Sequence, residues 1–299
     1  MLLFLIYITN TFGIKADTPK SDIGKYFTAI EKTMTLVKEK LQAEVAQNGN
    51  YVKVKTVIDK FIAETLDKIS EGAKTAASGA TGDGKIGDAV AGQNAIPADA
   101  NSVNALVKGV KTIVDIVLKK GEGDAGATKT GDSEKQSIGK LFGQGSGGSD
   151  GDETHAAAAS ASIGAVTGTD ILQAIANSGD TTSAATIATA KHAADIAAAK
   201  QETSQIITTT EAKKDAVIAA GIALRAIAKS GKFTVKIGED KSANAINGAA
   251  ANAVNKVLST LIIAIRNTVD SGLKTISETL ATVKQGNVSG DTGESGVTK

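Results

Sequence analysis

Apolar residues recur three or four apart at Ile23, Phe27, Ile30, Met34, Val37, Leu41 and Val45, which puts them on one helical face. Asp22 precedes this run as a plausible N-cap, and Asn48-Gly49 follows it as a stop. Val54, Val57, Ile58, Phe61, Ile62, Leu66 and Ile69 repeat the pattern, so the two helices and the short turn between them predict an antiparallel hairpin. Asp99 or Ser102 then opens a helix carrying Val103, Leu106, Val107, Val110, Ile113, Val114, Val117 and Leu118, closed by Lys119-Lys120-Gly121. A short helix is expected around Ser137–Phe142. Thr169-Asp170 looks like the cap of a helix holding Ile171, Leu172 and Ile175, broken at Ser178-Gly179.

Further along, a weakly apolar helix is expected from Ser183 to about Glu202, with Ile187 and Ile196 on it. A stronger one covers EAKKDAVIAAGIALRAIAKSG from Glu211 and stops at Ser230-Gly231. Lys232–Ile237 alternates in the manner of a strand but has no partner of equal quality, so a short two-strand pairing is the most it supports. The last helix runs from Ala245 to about Lys284, with apolar residues in a 3-4-3-4 rhythm from Val254 to Val283. Segments 78–96, 121–135, 143–154, 178–184 and 238–246 are rich in Gly, Ser, Asp and Thr and read as exposed loops. The fold class is therefore mainly α: an elongated multi-helix bundle with long Gly/Ser/Asp/Thr-rich loops. We divide the chain into an atypical apolar segment at 1–11, one helical domain at 12–285 and a polar flexible tail at 286–299.

Composition sharpens this picture by exclusion. Aromatics are 3% of the 299 residues, so the core must be built from Ala, Val, Ile and Leu, each burying little area. With no Cys there is no disulfide framework, thiol nucleophile or Cys-ligated metal. Net charge is +1 and only Arg225 and Arg266 are arginines, which argues against a nucleic-acid partner. Residues 1–14 carry no charge, lack the basic start of an export signal and fall short of the roughly 20 residues of a membrane span. A degenerate signal, a first helical turn that packs and a non-native start all remain open readings of this stretch.

Candidate chemistry is sparse. Gly82-Asp83-Gly84-Lys85-Ile86-Gly87 matches a dinucleotide-binding pattern, but that motif needs a preceding strand and here follows a helix tail. Gly139-Lys140-Leu141 and Gly231-Lys232-Phe233 lack the Ser or Thr of a phosphate loop. His155 lies beside Asp152 and Glu153 and reads as a solvated loop histidine, while His192 reads as a mid-helix residue. Glu31, Glu39 and Glu44 are helix-face carboxylates, and Arg225, Lys229, Lys232 and Lys236 form a small basic cluster around Phe233, most simply cations near a helix C-terminus. No catalytic, cofactor-binding or metal site is assigned, no cofactor is expected, and the protein reads as a non-enzyme.

The segment EAKKDAVIAAGIALRAIAKSGKFTVK at 211–236 closely resembles the least variable helix of the variable large proteins of relapsing-fever Borrelia. It is also similar to a segment of the variable surface lipoprotein of Lyme spirochaetes. GIKADTPKSDIGKYFTAIEKTMTLVKEKLQ at 13–42, NGNYVKVKTVIDKFI at 48–62 and AVAGQNAIPADANSVNALVKGVKTIVDIVLKKGEG at 89–123 extend the resemblance. It implies a mostly helical outer-surface lipoprotein, held to the outer membrane by a lipid anchor, that evades host antibody through serial antigenic variation. Family members carry a signal ending in a lipidated Cys; this sequence has none, so a truncated or archival copy is expected. Host antibodies are the implied partners, the five loops the expected antibody-facing parts, and residues 211–236 are expected to be largely buried. A homodimer could form through the long apolar helix faces. The competing reading is a helical adhesin for a host ligand, which would need a basic or apolar exposed patch.

Overall fold

The computed structural model describes residues 13–47, 52–146, 150–202 and 205–288. The N-terminal segment at 1–11, the Asn48-Gly49 stop and most of the tail at 286–299 lie outside these residues. Ten α-helices are described: α1 Lys20–Gln47, α2 Val52–Phe61, α3 Asp67–Gly79, α4 Ala100–Val117, α5 Asp132–Ser137, α6 Glu153–Ala165, α7 Gly168–Ala176, α8 Ala193–Ala198, α9 Asp215–Ile227 and α10 Asp240–Val288. A π-helical turn at Ile62–Leu66 joins α2 to α3, and a 3₁₀ turn at Ile138–Phe142 extends α5. The chain is mainly α, as its periodicity requires. Among the described residues β-pairing is confined to isolated bridges, including Ala91 with Val235 and Ile96 with Lys232, so the 232–237 strand is reduced to single contacts.

The α1, α3 and α4 helices form an antiparallel slab. Gly24 of α1 faces Ala77 and Ala80 at the end of α3, while Lys38 pairs with Asp67 at its start. Gly72 and Gly109 lie at the α3–α4 crossing, where small residues let the backbones meet. The 49-residue α10 packs along α6, α7, α9 and α2 and touches α1 through the Tyr26 hydroxyl, which donates to the Leu258 carbonyl at 3.0 Å. By length and composition α10 could cross a bilayer, yet half of its most apolar stretch is buried against other helices. It is a core helix.

At the centre lies α9, contacted by α6, α7, α8 and α10. All thirteen of its residues are buried, so it has no polar face to show as a stripe. Residues 211–236 are thus largely buried, with Glu211, Lys229 and Ser230 among the exposed exceptions.

Several expected features are corrected. The helix drawn from 183 to 202 is only α8; residues 181–192 form turns. There Thr182 and Thr186 hydroxyls accept from the Ala184 and Thr189 amides, and Asp195 accepts from Thr181 and Lys191. Such short side chains compete with helical bonds despite the alanine content. Conversely, α6 begins at Glu153, inside the expected 143–154 loop; its alanines give no one-sided stripe, so periodicity missed it. Helices α5 and α10 likewise start inside the expected 121–135 and 238–246 loops, and α10 reaches three residues into the expected tail.

The α7 cap is also displaced. Thr167, not Thr169, caps it: the Thr167 hydroxyl accepts from the Asp170 amide at 3.1 Å, and Asp170 accepts from the Thr167 amide at 2.8 Å. The other Asp170 oxygen accepts from the Asp124 amide at 2.8 Å, tying the 118–131 connection to α7. Asp170→Ala is expected to cost about 1–2 kcal/mol in chemical denaturation. A loss below about 0.3 kcal/mol would show this cap to be redundant.

Candidate functional site

The residues that sequence reasoning singled out for chemistry do not converge. Gly82–Gly87 follows α3 rather than a strand and is used as backbone: Gly84 accepts from the Lys20 amide, while Ile86 and Gly87 donate to Thr18 and Ala16. His155 is not a solvated loop residue. It sits in the first turn of α6 with 12% side-chain exposure, where Nδ1 accepts from the Asp152 amide and its own amide donates to Asp152. Burial holds its pKa below the ordinary histidine value, against the opposing pull of Asp152. His192 is the residue preceding α8, not a mid-helix position. Among the described residues no group of three or more His, Cys, Asp or Glu could hold a metal ion.

The basic cluster around Phe233 is dismantled by the fold. Lys232 pairs with Asp88 at 3.1 Å and Lys236 with Glu239 at 3.7 Å. Arg225 is 0% exposed. Its Nη1 donates to the carbonyls of Ala197 and Ala199, at 2.9 and 3.0 Å, and its Nε to Lys232 at 2.9 Å. The guanidinium carbon lies 4.8 Å from the Phe142 ring centre and 5.9 Å from that of Phe233, within cation–π range. Burial lowers Arg225 to about 9, so it keeps its charge at neutral pH. This is a structural cation that closes the C-terminal end of α8.

Two further cations, the buried Lys20 and the half-buried Lys256, repeat the arrangement. Lys20, 1% exposed, donates to the carbonyls of Arg225, Ala228 and Gly231 at 2.9–3.0 Å, covering the end of α9. Burial, with the Arg225 charge beside it, brings Lys20 down to about 7. Lys256 of α10 donates to Ile163 and Val166 at the end of α6. Cations thus sit at the negative ends of three helices, where orphan carbonyls need donors.

The opposite end of α9 carries the complementary charge. Asp215, 0% exposed in its first turn, accepts from the Lys129 and Thr130 amides and from the Thr130 and Ser162 hydroxyls, at 2.5–2.9 Å. Those four bonds outweigh burial and hold its carboxyl below the usual aspartate value. Asp215 was not among the residues singled out from the sequence, although its place at the head of an apolar run is a signal that could have found it, and Arg225 was read only as part of a basic cluster. Lys20 gave no such signal, because its partners lie more than 200 residues away.

The surface divides into two kinds of connection. Residues 119–134 and 177–184 are mostly exposed. The 82–96 segment and the described residues 143–146 and 150–151, expected to be equally open, are partly interior: Ile86, Ala89, Ala95 and Asp150 are buried. They clasp residues 232–237 from both sides, with Lys232 donating to Ile96, Ile237 to Gly145 and Lys236 to Gly151.

Comparison with known proteins gives this architecture a family. The family model described as Borrelia lipoprotein matches residues 2–280. The chain is 61% identical over 282 residues to Variable large protein 4 of Borrelia hermsii, covering 93% of this chain and 80% of that one. It is 60% identical to Variable large protein 17 of the same organism, with 93% and 79% coverage. The crystal structure of the Lyme disease variable surface antigen VlsE of Borrelia burgdorferi superposes with a TM-score of 0.80 at 34% identity, covering 92% of both chains. The helical scaffold is therefore that of the variable surface antigens, and the chain belongs to the Borrelia lipoprotein family, among the variable large proteins.

Proposed function

We propose that the protein is an outer-surface antigen whose exposed connections change the face seen by host antibody while its buried scaffold stays fixed. The observation that carries this reading is the separation of burial: α9 is wholly interior, whereas 119–134 and 177–184 are mostly solvent-facing. Substitutions on exposed connections alter stability little, so such segments can diverge without loss of fold. The names of its relatives, variable large proteins and a variable surface antigen, support the same role. Host antibodies are the partners, and the outer membrane surface is where they meet the protein.

The test is a variant with the exposed residues Lys119, Lys120, Glu122, Thr128, Lys129, Asp180 and Thr182 exchanged for other polar residues. Serum raised against the parent is expected to bind it at least several-fold more weakly. Its unfolding free energy should stay within about 1 kcal/mol of the parent. Unchanged serum binding would refute the assignment of these segments, and failure of antibody to label intact cells would refute surface display.

A further inference from the structure

We propose that residues 14–20 form a latch whose Lys20 ammonium serves as the C-terminal cap of α9, so that the seating of this strap and the order of residues 225–235 are set together. The strap is held along its length by backbone and amide groups. Asn255 donates to the Ile14 carbonyl at 2.7 Å. Gly87 donates to Ala16 at 2.8 Å, Ile86 to Thr18 at 3.0 Å, and the Lys20 amide to Gly84 at 2.8 Å. These contacts aim the Lys20 side chain at the turn that ends α9.

That turn needs support. Ser230 adopts a φ of 69°, a left-handed conformation that favours glycine and costs a β-carbon-bearing residue energy. The carbonyls of Arg225, Ala228 and Gly231 around it all point to one ammonium, and its three N–H groups match three acceptors. No nearer residue supplies this cap: Ala228 has no side-chain donor, and Lys229 is exposed. The segment beyond the turn is the one clasped by 91–96 and 141–145. Loss of the cap therefore acts first on the α9 end and its clasped continuation. Coupling free energies are reciprocal, so disturbing the turn must loosen the strap in return.

Hydrogen exchange on the full chain tests this, since local opening is read amide by amide. K20M is expected to exchange at least tenfold faster at residues 226–235 while α3 and α4 keep their protection; K25M, at an exposed α1 position, should change neither. Adding S230G to K20M should restore part of the protection by removing the left-handed cost. In the reverse direction, G231A would place a Cβ 2.2 Å from the Arg225 carbonyl and should accelerate the Lys20, Ile86 and Gly87 amides. Unchanged exchange at 226–235 in K20M, or acceleration spread evenly over the domain or loss of its helical circular dichroism, would overturn the latch.

Discussion

Gly109→Val is expected to destabilise the protein by about 3 kcal/mol or more, the upper range for overpacking. A Cβ at Gly109 would lie 2.4 Å from the Ala76 nitrogen and 2.5 Å from the Gly72 carbonyl oxygen. Both are backbone atoms in the middle of α3, so no side chain can swing away and the helices themselves must separate. Separation opens the slab around Ala73, Ala76, Leu106 and Ile113, all essentially unexposed, and interior voids forfeit dispersion contacts. At about 2–4 °C per kcal/mol for a large domain, the melting temperature should fall by roughly 6–12 °C. Gly248→Ala is the matched control: it lies within α10 and its added Cβ meets nothing within 4 Å. It should gain about 0.5–1 kcal/mol. A Gly109→Val protein melting within 2 °C of the parent would show that the α3–α4 contact can relax.

Asp215→Ala is expected to cost about 3–5 kcal/mol, since four neutral donors lose a charged acceptor, each such bond contributing about 1.5–3 kcal/mol and the losses adding only in part. The change strips the acceptor from two amides and two hydroxyls in one step. It also removes an anion from the positive end of α9. Asp215→Asn retains one acceptor oxygen and should lose less. The pH dependence follows from the direction of the shift. The folded carboxyl titrates below the ordinary value of 3.8, so its contribution is complete above that pH and is lost as pH falls through the folded value. Parent stability should therefore drop steeply below about pH 4, helped by Asp170, whose pKa is lowered by its cap bonds from Thr167 and Asp124. Asp215→Asn should flatten that acid slope in urea titrations at successive pH values. Parallel slopes for parent and variant would rule out Asp215 as a source of the acid sensitivity.

Much of the architecture could be read from spacing alone. The stripes in α1, α4 and α10 are one-sided, because each of these helices keeps an exposed face, and period 3.6 reports that asymmetry. The failures share a cause. Helix α6 is alanine-rich with no stripe, and 181–192 is alanine-rich but threaded with threonines whose hydroxyls bond the local backbone. Alanine content states a propensity, not a partner, and local side-chain bonding or tertiary contact decides the outcome. His155 was misplaced for the same reason: its role as a capping-box partner exists only because α6 starts beside it.

By itself the sequence determined the helical class, the long core helix α10, the buried character of α9 and the family resemblance. Each rests on local pattern, on residue types present or missing, or on matching strings. Only the tertiary structure decided which charges are interior and what they do. The buried Lys20 and Arg225 and the half-buried Lys256 close the ends of α9, α8 and α6, and the buried Asp215 opens α9. It also decided that the glycine-rich stretch at 82–96, with residues 143–146 and 150–151, clasps the core, whereas 119–134 and 177–184 mostly face solvent. The physical reason is range. Helical periodicity is set by bonds between residues four apart, while the cap of a helix end can come from any residue that the fold brings within hydrogen-bond distance.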